Sequence, residues 1–175
     1  FPIPENDGAA NHLEKSSIPC ISLPNQEGNL LRLDRSDTFR MILYFFPMTG
    51  RPDSPLPKNW NSIPGASGCT LETCKFRDKY DDLISLNAIP IGITSQTVEY
   101  NKEMTNRLGI PFDVLSDAKL ELKDSLSLPI FSIKNKIYLK RLTLIIEKKI
   151  VKKVFYPIYP IEKHVDDIIV WLKEN

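Results

Sequence analysis

The sequence predicts an α/β fold in which a mixed central β-sheet is flanked by helices, and three observations carry that prediction. Two apolar runs, "FRMILYFF" (39–46) and "NAIPIGIT" (87–94), are long and continuous enough to be strands buried on both faces. Strand-like and helix-like segments alternate through the middle of the chain, the pattern of parallel pairing. The segment "KRLTLIIEKKIVKKVFYP" holds two strands joined at "EKK"; the outer one alternates Val and Phe with Lys, as an antiparallel edge does.

In chain order, residues 1–17 read as an N-terminal extension. "IPCISLP" and "NLLRLD" flank "NQEG", a polar stretch ending in Gly, and form a strand pair. The first buried strand (39–46) runs into "PMTGRPDSPLPKNWNSIPGASG" (47–68), rich in Pro and Gly and therefore a loop. Its length is unusual for a compact domain and points to function. From Cys69 the pattern turns helical: at about 100° per residue, Phe76, Tyr80 and Leu83 share its face. The second buried strand follows. Residues 95–109 read as a helix with a Ser start and a Gly stop. "PFDVLSD" is a short strand and "AKLELKDSLSL" a short helix ending before Pro129. After the antiparallel pair, Val165, Ile168, Ile169 and Leu172 form the apolar stripe of a closing amphipathic helix. The order βββαβαβαββα is that of a thioredoxin-like fold with an N-terminal strand extension, a single domain over 18–175 with a long loop at 47–68.

Composition suits one soluble domain: 175 residues, 42% apolar and 26% charged, with a net charge of +1. The charges are interspersed, so no nucleic-acid partner is expected. No apolar run approaches the roughly 20 residues that span a bilayer, so no membrane is expected either. The first residues lack the plan of a secretory signal. The three cysteines make an odd count, which favours a working thiol in a reducing, cytoplasmic setting over a secreted disulfide framework; because the chain begins at Phe1 without Met, periplasmic or organellar sites stay open.

The chemistry centres on "IPGASGCTLETCKFRD" (63–78), which holds Cys69 and Cys74. Cys69 stands where a loop enters a helix, and unpaired N–H groups and the helix dipole there favour a thiolate. Cys74 falls about 140° round the helix from it, on the polar side. On a regular helix the two Cα atoms are roughly 8.6 Å apart, whereas a disulfide tolerates about 4.4 to 6.8 Å. The thiols can meet only if the first turns unwind. The alternative is two unrelated small residues, one buried and one exposed. A metal site is not expected, since Cys74 points away and His12 and His164 lie in remote segments as surface or satisfied residues. Cys20, within "IPCISLP", reads as a packed small hydrophobe.

These residues resemble the peroxiredoxins, specifically the bacterioferritin-comigratory or Q type. "PGASGCTLETCKFRD" is similar to that family's P-G-C-T-x-x-x-C-x-F-R-D signature, "GITSQTVEYNKEMTNRLGIPFDVLSD" to its G-x-S and hydrophobic-P-F-x-L-L-S-D segment, and "KRLTLII" to its R-x-T-F-x-I strand. The resemblance covers residues 18 to 175 and implies a thiol peroxidase acting on hydrogen peroxide and alkyl hydroperoxides. It implies that Cys69 is the peroxidatic cysteine, oxidised to a sulfenic acid. Cys74 would be the resolving cysteine that closes an intramolecular disulfide, recycled by a thioredoxin-like or other thiol reductant. No metal or organic cofactor is implied, and the protein would be a monomer or homodimer. Arg141 matches the active-site arginine, whose fork would lower the Cys69 pKa and orient the peroxide. Glu72, three residues after Cys69, would hold Arg141, or else is an exposed first-turn Glu. Arg77 and Asp78 match F-R-D as structural residues.

One departure stands out. The family places Pro seven residues and a hydroxyl three residues before the cysteine; here those positions are Ser62 and Ala66. The hydroxyl would come from Ser67, or from Thr49 if the expanded loop folds back, and "FFPMTG" keeps Pro47 and Thr49 together at the strand end. Two other readings remain: a thiol–disulfide oxidoreductase on the same fold, weakened by the absence of C-x-x-C, and a non-catalytic holdase or interaction module using the loop around Trp60.

Overall fold

A computed structural model describes residues 1–35 and 38–175 of the chain. Its main sheet has five strands in the order β5-β4-β3-β8-β9. Strands β3 (Arg40–Phe45), β4 (Ala88–Thr94) and β5 (Val114–Ser116) pair in parallel. Strands β8 (Leu142–Glu147) and β9 (Ile150–Phe155) add antiparallel to β3 and close one edge, turning at Lys148 and Lys149. The fold is the thioredoxin-like one the element order predicts.

The two-sided burial of β3 follows from its unbroken apolar run. Met41, Leu43 and Phe45 enter one core, and Ile42, Tyr44 and Phe46 the other. The second core is roofed by α1 (Cys69–Asp78), α2 (Tyr80–Ser85), α3 (Val98–Leu108) and α5 (Ile161–Glu174), through Phe76, Leu83, Met104, Val165 and Ile168. The first is covered by α4 (Glu121–Leu126) and by the hairpin of β1 (Ser22–Pro24) and β2 (Leu30–Arg32). Ala10 and Leu13, within the segment read as an N-terminal extension, are buried in that same core, so this segment belongs to the body of the domain.

Four sequence-based expectations need correction. The helix from Cys69 is not continuous: it ends at Asp78, and α2 restarts after Lys79, whose φ of −100° and ψ of 10° break the ladder. The helix at 95–109 starts later, capped by Thr97, whose hydroxyl accepts from Tyr100 N–H at 3.2 Å; Gly109 stops it as expected. An unforeseen hairpin of β6 (Ile130–Ile133) and β7 (Lys136–Leu139) intervenes before β8. Cys20 is exposed, because it precedes β1 in a stretch where Ile18 and Leu23 take the inward places, and Arg32 Nη2 lies 3.5 Å from its sulfur.

Candidate active site

The long loop after β3 is tied to the body at its start and again around Trp60. Thr94 Oγ1 donates to the Pro47 carbonyl at 3.0 Å, Tyr100 O–H to the Thr49 carbonyl at 2.5 Å, and Arg107 Nη2 to the Gly50 carbonyl at 3.0 Å. Further on, Trp60 is buried against Met48, Ala66, Phe131 and Tyr138, with its ring centroid 5.1 Å from that of Tyr138. Trp60 thus packs the loop onto the β6–β7 hairpin and offers no free contact surface. This small third core brings Met48 and Ala66, 18 positions apart in the chain, to one place.

The loop ends at Gly68, which enters α1 with φ 102° and no side-chain cap. Only glycine adopts that angle cheaply. The next residue, Cys69, is 2% exposed. Its sulfur lies 3.1 Å from Arg141 Nη2 as acceptor, 3.5 Å from the Ala66 carbonyl as donor, and within reach of the Met48 N–H. The structure therefore brings both ends of the loop to the thiol.

Arg141 directly precedes β8 and is 4% exposed. Its Nη2 also donates to the Ser67 and Gly65 carbonyls at 3.0 and 3.3 Å, and its Nη1 pairs with Glu72 Oε2. A guanidinium shared among four acceptors on one side is fixed in place. Glu72 is fully buried, not an exposed first-turn residue. Thr49 is 1% exposed beside Met48, whereas Ser67 Oγ donates to Asn61 Oδ1 at 2.6 Å, away from the sulfur. Cys74 is partly buried and unbridged, five residues along an intact α1. Arg77 Nη1 donates to the Leu108 carbonyl at 2.7 Å and Nε to Asp78 at 2.9 Å, tying α1 to the end of α3.

Electrostatics at the sulfur are divided. Burial pushes the Cys69 thiol up, Arg141 and the Met48 N–H pull it down, and Glu72 adds to the rise. The expectation of a lowered thiol pKa is corrected to that extent: the cation is in place, but in this closed, sealed site desolvation outweighs it. Burial likewise raises the Glu72 carboxyl, and Arg141 opposes it.

Sequence reasoning missed two residues. Met48 supplies a backbone N–H, which no side-chain pattern reveals. His164 lies in a segment remote from Cys69, yet it stands behind the site: its Nε2 is 2.8 Å from Thr143 Oγ1 and 4.0 Å from Glu72 Oε1. Its spacing of four residues from Ile168, on the buried stripe of α5, was the available signal. His12 is held by the Leu126 carbonyl at 2.7 Å. Among the described residues no His/Cys/Asp/Glu group could hold a metal ion, and no helix is long and apolar enough to cross a membrane.

The Redoxin family model matches residues 13–169. A Coxiella burnetii protein named as a peroxiredoxin, bcp, is 27% identical over 155 residues, which cover 86% of this chain and 92% of its own. The chloroplastic peroxiredoxin Q of Sedum lineare is 25% identical over 171 residues, 96% of this chain and 82% of its own. Among solved structures, the peroxidoxin BcpB of Mycobacterium tuberculosis superposes with a TM-score of 0.76 at 22% identity, over 93% of this chain and 98% of that one. The bacterioferritin comigratory protein of Xanthomonas campestris, described for its alkyl peroxide reduction activity, superposes with a TM-score of 0.74 at 17% identity, over 93% and 97%.

Proposed function

Because the chain belongs to the Redoxin family, among the peroxiredoxins of the Q and bacterioferritin-comigratory type, we propose that its thiol peroxidase chemistry runs through Cys69, Arg141 and Glu72, with Cys74 resolving. The Cys69 thiolate attacks one oxygen of ROOH. The O–O bond breaks, the sulfur becomes a sulfenic acid, and the departing alkoxide or hydroxide takes up a proton and leaves as ROH. Cys74 then attacks the sulfenic sulfur, water is released and an intramolecular disulfide closes. A dithiol reductant of the thioredoxin kind, working in a reducing compartment such as the cytoplasm, returns both thiols. Hydrogen peroxide and alkyl hydroperoxides are the substrates.

The observation that carries this reading is Arg141 Nη2 at 3.1 Å from the Cys69 sulfur while its other arm is held by Glu72. That fork can stabilise both the thiolate and the negative charge developing on peroxide oxygen. Thr49 supplies the active-site hydroxyl in preference to Ser67: it is buried next to the Met48 N–H that reaches the sulfur, while the Ser67 hydroxyl is engaged by Asn61. The expanded loop thus folds back to deliver the group that Ala66 lacks. Replacing Thr49 and Ser67 separately by Ala tests this: Thr49→Ala is expected to slow peroxide reduction, Ser67→Ala to leave it within about twofold.

The test of the whole reading is thiol oxidation by one equivalent of hydrogen peroxide, followed in the native protein and in Cys69→Ser. The native protein should lose thiols stoichiometrically and the variant should not react at a comparable rate. Equal rates would reject the mechanism.

A further inference from the structure

The Glu72 carboxylate is served on one side only. Oε2 takes the Arg141 Nη1 arm, but Oε1 is buried and accepts no hydrogen bond. An unpaired carboxylate oxygen in a dry interior costs free energy. His164 Nε2 lies 4.0 Å from that oxygen, too far for a hydrogen bond but close enough for charge and dipole to interact strongly where water is absent.

The ring cannot swing away. Thr143 Oγ1 holds Nε2 at 2.8 Å. Phe155 and Phe76 meet the ring edge-on, with centroids 5.5 and 6.2 Å away. His164 comes from α5, Glu72 and Phe76 from α1, Thr143 from β8 and Phe155 from β9; among the described residues, Arg141, just ahead of β8, pairs with Glu72, and Lys153 Nζ lies 5.3 Å over the Phe155 ring. The line of contact runs from the Cys69 sulfur through Arg141 and Glu72 to His164, each residue 4% exposed or less. Its last member has a partner of its own in Thr143.

We propose that His164 is a positioning residue: its ring, fixed on Thr143, gives Glu72 a polar wall that keeps the carboxylate turned on Arg141, and so holds the Arg141 fork against the Cys69 sulfur. This rests on the peroxidase reading for its purpose, though not for its geometry. Because the ring is uncharged in the folded protein, burial and Arg141 having lowered its pKa to about 3, the effect persists across the physiological range.

A double-mutant cycle of His164→Leu with Glu72→Gln tests it. Two rates are read in each variant: Cys69 oxidation by hydrogen peroxide, and Cys69 alkylation by iodoacetamide in a Cys20→Ser/Cys74→Ser background. His164→Leu should slow both by about tenfold when Glu72 is present and by less than about twofold when it is Gln, an interaction of ordinary size for groups in one network. A purely structural histidine would give the same loss in both backgrounds, and that result, or no loss at all, overturns the proposal. If His164→Leu does not fold, His164→Phe/Thr143→Val replaces it, since that pair leaves no orphaned partner. A native protein that ignores peroxide would sink the peroxidase reading, while the coupling in alkylation would still decide the role of His164.

Discussion

Ile161, at the start of α5, occupies the space that a side chain on Gly68 would need: a Cβ built there would run into its Cδ1. The turn that delivers Cys69 is thus gripped by a helix more than 90 residues later in the chain. Gly68→Ala would force an L-residue into φ 102° and push Ile161 aside. We expect a loss of roughly 1–3 kcal/mol, seen as a melting temperature lower by about 3–9 °C, together with slower Cys69 oxidation. An unchanged melting curve would show that the turn relaxes freely.

Arg141→Met removes the cation while keeping an unbranched side chain. A neutral neighbour no longer favours the thiolate, so the Cys69 pKa must rise further. The peroxide rate at neutral pH should fall by about a hundredfold and recover in part as pH is raised. A pH–rate profile that drops without shifting would mean that Arg141 acts on the peroxide alone.

Trp60→Ala should be among the costliest single changes, at about 3–5 kcal/mol, because Trp60 is the centre of the small core under the loop. It should also slow peroxide reduction, since Met48 belongs to the same cluster and its N–H reaches the sulfur. Denaturant unfolding and a peroxide assay on the variant check both. Unimpaired activity in a folded variant would detach the loop core from the site.

The N-terminal segment is pinned by Asp7, which accepts from Lys140 at 3.0 Å and from Tyr156 O–H at 2.8 Å. Those bonds and the Ala9 N–H lower its pKa from 3.8 to about 2. A carboxyl with a depressed folded value stabilises the fold above its unfolded pKa and stops doing so as pH falls through the folded one. Anchoring should therefore be full above about pH 4 and lost between there and pH 2. The side chain is 43% exposed, so the effect is modest and weakened by salt. Proteolysis of residues 1–9 should be faster in Asp7→Asn than in the native protein at pH 7; equal rates would contradict the anchor.

Much of the molecule could be read directly. The apolar runs of β3 and β4 and the stripe of α5 announce burial through composition and period alone, and the loop-to-helix entry of Cys69 follows from Pro64, Gly65 and Gly68. Other features could not be read because their causes are tertiary. The β6–β7 hairpin turns on Lys134 and Asn135, both at positive φ, without the glycine that normally marks such a turn. The break at Lys79 leaves no trace in the helical period. The choice between Thr49 and Ser67 leans in the sequence only on Pro47 standing beside Thr49 at the strand end, and the place of Met48 near the sulfur depends on packing. Glu72 was ambiguous because a first-turn glutamate is favoured by the helix dipole whether buried or exposed.

The central claim is that Cys69 and Cys74, on opposite sides of an intact helix, are partners in one reaction. Mass mapping after one equivalent of hydrogen peroxide tests it most directly. A Cys69–Cys74 disulfide should account for the oxidised protein, with amide exchange newly fast across Gly68–Thr73 where α1 has unwound, and Cys20 still free. A sulfenic acid that persists on Cys69 with Cys74 reduced, or a disulfide to Cys20, would contradict the account.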